Sequence, residues 1–157
     1  MWIKLFGALL ILLAGGLSAR GIATYEKKRL DVLDGWIDLI FYIRSHIDCY
    51  LTPLGEILDG CDPSLLYACM WNGKKVTLQD LYGRSKKMLS KESDRLLSSF
   101  VREIGAGYRE EQVKRCDYYT ASLRTIREKQ MEALPARLRV SAALCICAAF
   151  GTAILLW

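Results

Sequence analysis

Apolar residues are distributed along this chain in two ways. At the two ends they are nearly continuous, and between the ends they recur every three or four positions. Met1–Leu17 carries a single charge, Lys4, and Val140–Trp157 carries none over its eighteen residues. A helix that crosses the hydrocarbon core of a bilayer needs about 20 predominantly apolar residues. The C-terminal segment meets that length and ends in Trp157, an aromatic suited to the membrane–water interface. Lys4 can extend back to the near surface, so Trp2–Ile22 can span as well. The pattern predicts a transmembrane helix over 1–22, a helical domain over 24–137 and a second transmembrane helix over 138–157.

The middle of the chain reads as a series of helices. Leu30, Leu33, Ile37, Ile40, Ile43, Ile47 and Leu51 fall on one helical face. They predict a long amphipathic helix from about Tyr25 to Leu51, continuous with the first apolar segment. Gly35 inside it costs about 1 kcal/mol of helix propensity, which is not enough to break it. Thr52-Pro53 is a start signal, with Thr52 as N-cap and Pro53 at the first helical position. Gly60 and Asp62-Pro63 close that short helix and open another, which runs to about Met70 and stops at Trp71-Asn72-Gly73. Thr77 with Asp80 resembles a capping box for a helix to about Leu89. Ser90 or Ser93 caps the next, which carries Leu96, Leu97, Phe100, Val101 and Ile104 and ends at Gly105. From Tyr108 a second long amphipathic helix follows, with Val113, Cys116, Tyr119, Leu123, Ile126 and Leu134 on one face. Pro135 is expected to interrupt or kink it. The fold class implied is all-α: a membrane-anchored antiparallel helical bundle with a transmembrane helix at each end.

Charge adds an orientation. Arg20, Lys27, Lys28 and Arg29 follow the first apolar segment, and Arg124, Arg127, Lys129, Arg137 and Arg139 precede the second. Basic residues at both inner edges hold the intervening domain in the cytoplasm and can meet anionic lipid headgroups. The net charge of +5 therefore has a membrane explanation. No basic face interleaved with aromatics is present, which argues against nucleic acid. With three prolines, no repeat and no low-complexity run, the chain is neither disordered nor a solenoid. A rival reading treats the N-terminus as a cleaved signal peptide, with Ala14-Gly15-Gly16 as the cleavage pattern. The product would then be an extracytoplasmic, tail-anchored helical binding module beginning near Leu17. That reading expects disulfides among Cys49, Cys61, Cys69 and Cys116, whereas a cytoplasmic domain keeps them reduced.

Candidate chemistry is sparse. Gly105-Ala106-Gly107 lacks the Lys-Ser/Thr of a phosphate loop, and one histidine without a CxxC pair gives no zinc spacing. His46 and Cys49 can share a helix face as a thiol–imidazole pair, the basis of a membrane-enzyme reading. The apolar stripe of Ile43 and Ile47 beside them favours a structural role. Asp31, Asp34 and Asp38 form a solvated face or a docking surface for a basic partner. Tyr118 and Tyr119 read as packing residues. The residues predict no catalytic group, no cofactor, no metal and no small-molecule substrate.

One stretch carries a resemblance: Ile47-Asp48-Cys49-Tyr50-Leu51-Thr52-Pro53-Leu54-Gly55-Glu56-Ile57-Leu58. It resembles the EI-x-Y-x-x-TPL-x-E stretch of the stage III sporulation protein AB family of endospore-forming bacteria. Ile104-Gly105 followed by Gln112-Val113-Lys114 stands where that family has an LG…D…Q pattern. Arg139 and Leu144 are placed like the Lys and Leu that lead into its final span. The sequence departs from the family at His46, Cys49, Tyr108 and Cys145, and Tyr108 replaces an Asp that would cap the last long helix. The resemblance covers essentially the whole chain. It implies a bundle similar to the cytoplasmic F domain of type II secretion and type IV pilus systems. It further implies a mother-cell membrane platform at the forespore septum, whose partners are the stage III sporulation protein AA ATPase and other proteins of the sporulation channel. Thr52, Pro53, Leu54, Glu56, Gly105, Gln112 and Arg139 are the motif residues it singles out. Coupled motion would pass through the two long helices, so disruption near Pro135 would uncouple the ATPase while leaving it bound.

Overall fold

The computed structural model describes residues 2–50, 53–73 and 77–155, with side chains over 14–49, 53–73, 77–148 and 150–152. Among the described residues six α-helices follow in order: α1 (Trp2–Tyr50), α2 (Leu54–Asp59), α3 (Pro63–Ala68), α4 (Leu78–Ser85), α5 (Lys91–Glu103) and α6 (Arg109–Leu155). A single 3-10 turn, Lys86–Met88, joins α4 to α5. No strand occurs among the described residues. The chain divides into two compact units, Arg29–Gln130 and Met1–Lys28 with Met131–Trp157.

The 29–130 unit is a helical bundle built round one apolar core. The stripe expected on α1 is buried, with Leu33, Ile37, Ile40, Ile43 and Ile47 in that core. Val32, Trp36 and Leu39 are buried beside them, so α1 is covered on more than one side. Gly35 explains part of this. A Cβ there would lie 2.8 Å from Ala68 Cβ and 2.9 Å from the Ala68 carbonyl carbon. The missing side chain therefore lets the end of α3 press against the α1 backbone. Trp36 is fully buried, and its indole N–H donates to Ser85 Oγ at 2.9 Å, so its polar atom has a partner. From α5 come Leu97, Phe100 and Ile104, and from α6 Cys116, Tyr119, Leu123 and Ile126. The Phe100 and Tyr119 rings meet edge to face with centroids 5.4 Å apart. Thr120 Oγ1 is buried with no hydrogen-bond partner.

Caps fix the short helices. Ser64 N–H donates to Asp62 Oδ1 at 2.8 Å, Asp80 N–H to Thr77 Oγ1 at 3.2 Å, and Ser93 N–H to Ser90 Oγ at 3.2 Å. Ser90 is thus the cap of α5, and Ser93 is buried in its first turn. Thr52, the expected cap of α2, lies outside the described residues. Pro53 precedes the helix rather than opening it: its extended ψ of 143° makes it the N-cap, and its carbonyl accepts from Ile57 N–H. The expected helix to Met70 stops at Ala68. Met70 takes a φ of 69°, Met70 N–H donates to Tyr67 O and Trp71 N–H to Leu66 O. That is a Schellman stop with methionine where glycine is usual, held although a left-handed residue costs roughly 1–2 kcal/mol.

In the other unit, Leu17, Val140, Leu144 and Phe150 are exposed. The hydroxyls of Ser18, Thr24 and Thr152 each donate to the carbonyl four residues earlier, which satisfies them within their own helix. Among the described residues α6 is the one helix long and apolar enough to cross a membrane. Its most apolar window has a mean hydropathy of 1.5, with none of it buried. Over residues 2–13 only the helical backbone of α1 is described. Pro135 does not interrupt α6, which continues as helix through it. The proline removes one backbone hydrogen bond, but Ala133, Leu134 and Ala136 around it are strong helix formers.

Candidate functional site

Within the bundle, one end is defined by the close of α1, the α2 start and the α5–α6 connection. The connection turns through Gly105 at φ +90° and Gly107 at φ +100°, conformations that favour glycine. Arg115 on α6 holds it: Nη1 donates to the carbonyls of Glu103 at 2.8 Å and Ala106 at 3.0 Å, and Nη2 to Glu111 Oε1 at 2.7 Å. Gln112 Nε2 donates to Gly107 O at 3.1 Å. Tyr119 OH donates to Glu103 Oε2 at 2.8 Å, and burial together with that carboxylate pushes the phenol up to about 12.

The motif residues divide accordingly. A Cβ on Gly105 would lie 3.7 Å from Leu54, so α2 and the α5–α6 turn meet. Gln112 acts through the backbone of that turn. Pro53 and Glu56 are exposed at the start of α2. Arg139 is exposed and belongs to the other unit.

Ion pairs join α1 to α6. Arg127 bonds both oxygens of Asp34 at 2.8 and 3.0 Å, Arg44 bonds both oxygens of Asp117, and Arg109 reaches Asp48 Oδ1 at 2.8 Å. As the α1 numbers rise the α6 numbers fall, which is the signature of an antiparallel pair. The Arg109 guanidinium holds the Asp48 carboxyl below its ordinary value, while Asp117 raises Arg44 and Asp34 raises Arg127. Asp34, partly exposed, is thus also a strut to α6, whereas Asp31 and Asp38 are exposed.

Beside α2 and α3 lies a groove of about 570 Å³, lined by Leu58, Cys61, Pro63, Leu66, Tyr67 and Trp71. Tyr67 is 71% exposed on its rim. Trp71 is held by its indole N–H on Gly73 O at 3.0 Å and by the Arg84 guanidinium, 4.8 Å from the ring centroid. Burial pushes the thiols of Cys61 and Cys69 up, so both stay protonated and unreactive at neutral pH. All six cysteines are free thiols. His46 turns toward Tyr42, with Nδ1 3.2 Å from its carbonyl and the ring centroids 4.2 Å apart, while Cys49 is exposed. No cluster of three or more potential metal ligands occurs among the described residues.

The ion ladder, the Arg115 staple and the Trp36–Ser85 pair were beyond sequence reasoning, although opposite charges on two long amphipathic helices were a signal for the ladder. The chain matches no protein-family model, no curated protein and no solved structure.

Proposed function

We propose that this chain is a non-enzymatic membrane platform component of a secretion-like channel between mother cell and forespore, of the stage III sporulation protein AB kind. In this reading the 29–130 bundle is cytoplasmic, α6 crosses the membrane beyond Arg139, and the apolar start of α1 forms a second span. The bundle links a cytoplasmic hexameric ATPase to the membrane complex on the mother-cell side of the septum. The observation that carries the reading is the continuity of α6, one helix that packs a core and then becomes an uncharged apolar segment with exposed side chains. The resemblance around Pro53-Leu54, Gly105 and Gln112 supports it, because these residues belong to the end of the bundle furthest along α1 and α6 from the apolar segments. Basic residues at both inner edges favour the cytoplasmic side.

The test is co-purification of the full-length protein in detergent with the stage III sporulation protein AA ATPase of the same organism, scoring complex formation and ATP hydrolysis. A complex that is lost on substitution of exposed bundle residues such as Tyr67 supports the platform role. Absence of a complex, with both proteins shown to be folded, overturns it. Intact-mass measurement on the same sample decides against the extracytoplasmic alternative if the chain is full length and its thiols reduced.

A further inference from the structure

The end of the bundle opposite the α5–α6 turn carries a feature that the sequence order conceals. Arg84, Lys86, Lys87 and Lys91 lie within one eight-residue stretch that holds no acidic residue. This stretch is the end of α4, the 3-10 turn and the start of α5. It is distant in sequence from both apolar segments, yet two long-range hydrogen bonds tie it to the limits of the bundle. Arg29 Nε on α1 donates to Met88 O at 3.0 Å, and Gln130 Nε2 on α6 donates to Ser90 Oγ at 2.9 Å. Arg29 and Gln130 are the first and last residues of the unit. The turn therefore sits at the level where α1 enters the bundle and α6 leaves it.

In the membrane reading, the end of the bundle at Arg29 and Gln130 is the one from which the chain continues toward its two apolar segments. The headgroup layer is roughly 5–8 Å deep, and the surface potential of anionic lipid extends about 8–10 Å further at physiological salt. Lys86, Lys87 and Lys91 are exposed, Lys86 with its Nζ 5.8 Å from the Tyr82 ring centroid, and such long side chains carry their charge outward at the tip. Glu92, Glu128 and Asp31 are exposed in the same part of the bundle and limit its net charge. Lys129 adds to the positive side.

We propose that the α4–α5 turn is a third lipid contact of this protein, in which Lys86, Lys87 and Lys91 bind the headgroups of anionic phospholipid at a membrane surface. Its role is to fix the bundle against the bilayer at a point away from the two long helices, so that the bundle cannot swing about them. This rests on the membrane reading given above.

Full-length protein is placed in lipid nanodiscs of phosphatidylcholine alone or with phosphatidylglycerol, and lysine acetylation is followed by mass spectrometry. Lys86, Lys87 and Lys91 are expected to react about fivefold more slowly in the anionic discs, the factor for a headgroup contact of one lysine. The difference disappears in ~1 M salt, and Lys114, exposed near the other end of the bundle, is unchanged. Equal rates in both discs, with the chain retained in them, overturn the lipid contact and leave the membrane reading intact. Loss of the chain from both kinds of disc overturns the membrane reading and the contact together. Protection in neutral discs by soluble glycerol phosphate alone overturns the proposal in favour of a small-phosphate site.

Discussion

Between Cys116 and Ile126, α6 buries Cys116, Tyr119, Leu123 and Ile126 and exposes Tyr118, whereas between Val140 and Phe150 the same helix leaves Val140, Leu144, Ile146 and Phe150 exposed. The residue types are alike, and the difference is in what surrounds them. In the bundle the apolar stripe of α6 packs into the core, and polar groups are interspersed on the outer face, where Arg127 and Asp117 reach partners on α1. In the terminal unit the outer face is apolar too, and the few hydroxyls bond their own helix. Among the described residues nothing covers this apolar row, and the helix that carries it is long and apolar enough to cross a membrane. In the membrane reading proposed above, one helix serves two media, and the transition falls between Ile126 and Val140, where Arg127, Lys129, Arg137 and Arg139 cluster.

The sharpest way to break this contrast is to make one substitution in both regions. Leu123→Ala in the bundle is expected to cost about 2–5 kcal/mol, the range found for buried leucines. Leu144→Ala is expected to change bundle unfolding by no more than about 0.5 kcal/mol. Denaturant unfolding in mild detergent, followed by tryptophan fluorescence from Trp36, reads both. Comparable losses would mean that the 140–150 region is part of the same core.

Alkali gives a second large effect confined to the bundle. Burial pushes the Cys116 thiol from 9.0 up to about 11 and the Tyr119 phenol from 10.0 up to about 12. A folded-state value above the unfolded one means that the neutral form is favoured by folding. The stabilisation is complete below about pH 9 and is lost as pH rises through the folded values. Bundle stability should thus fall between about pH 9 and 12. Cys116→Ala should remove the lower part of that fall and Tyr119→Phe the upper part. A pH titration of the unfolding midpoint checks both.

Ser85→Ala comes next. It leaves the buried Trp36 N–H without its acceptor and should cost about 1–3 kcal/mol. Gly35→Ala should cost about 1–2 kcal/mol, because relieving the contact with Ala68 outweighs a helix-propensity gain of about 1 kcal/mol. A rise in thermal midpoint for Gly35→Ala would show that α3 yields easily and that the close approach is not required. The smallest effect belongs to Arg127→Ala, below about 1 kcal/mol, because its pair with Asp34 is partly exposed.

Much of this contrast was legible in the sequence, and the remainder has physical reasons for being hidden. Helical period, caps at Asp62, Thr77 and Ser90, and the uncharged C-terminal run are local signals, so α1, α5 and α6 could be drawn in advance. The burial of Val32, Trp36 and Leu39 was hidden because one stripe describes a helix covered on one side, and α1 is packed by α3, α4 and α6. The Asp34 ion pair was hidden because nothing in its own helix reveals Arg127, far away in the chain. Met70 could not be foreseen in a left-handed conformation, since the Schellman stop usually advertises itself with glycine. The end of the bundle bearing Leu54, Gly105 and Gln112 was legible as motif residues, but their convergence depends on tertiary packing. The groove beside Tyr67 and Trp71 left no sequence signal beyond two aromatics near a helix end.

The central claim, that one continuous helix passes from a protein core into lipid, is tested most directly by hydrogen–deuterium exchange on the full-length protein in nanodiscs and in detergent-free buffer. The account predicts that peptides from 140–152 are strongly protected in the discs and lose that protection, or aggregate, without lipid. Peptides from 97–126 should be protected under both conditions as long as the bundle is folded. Equal protection of 140–152 with and without lipid, in a monodisperse sample, would contradict the account.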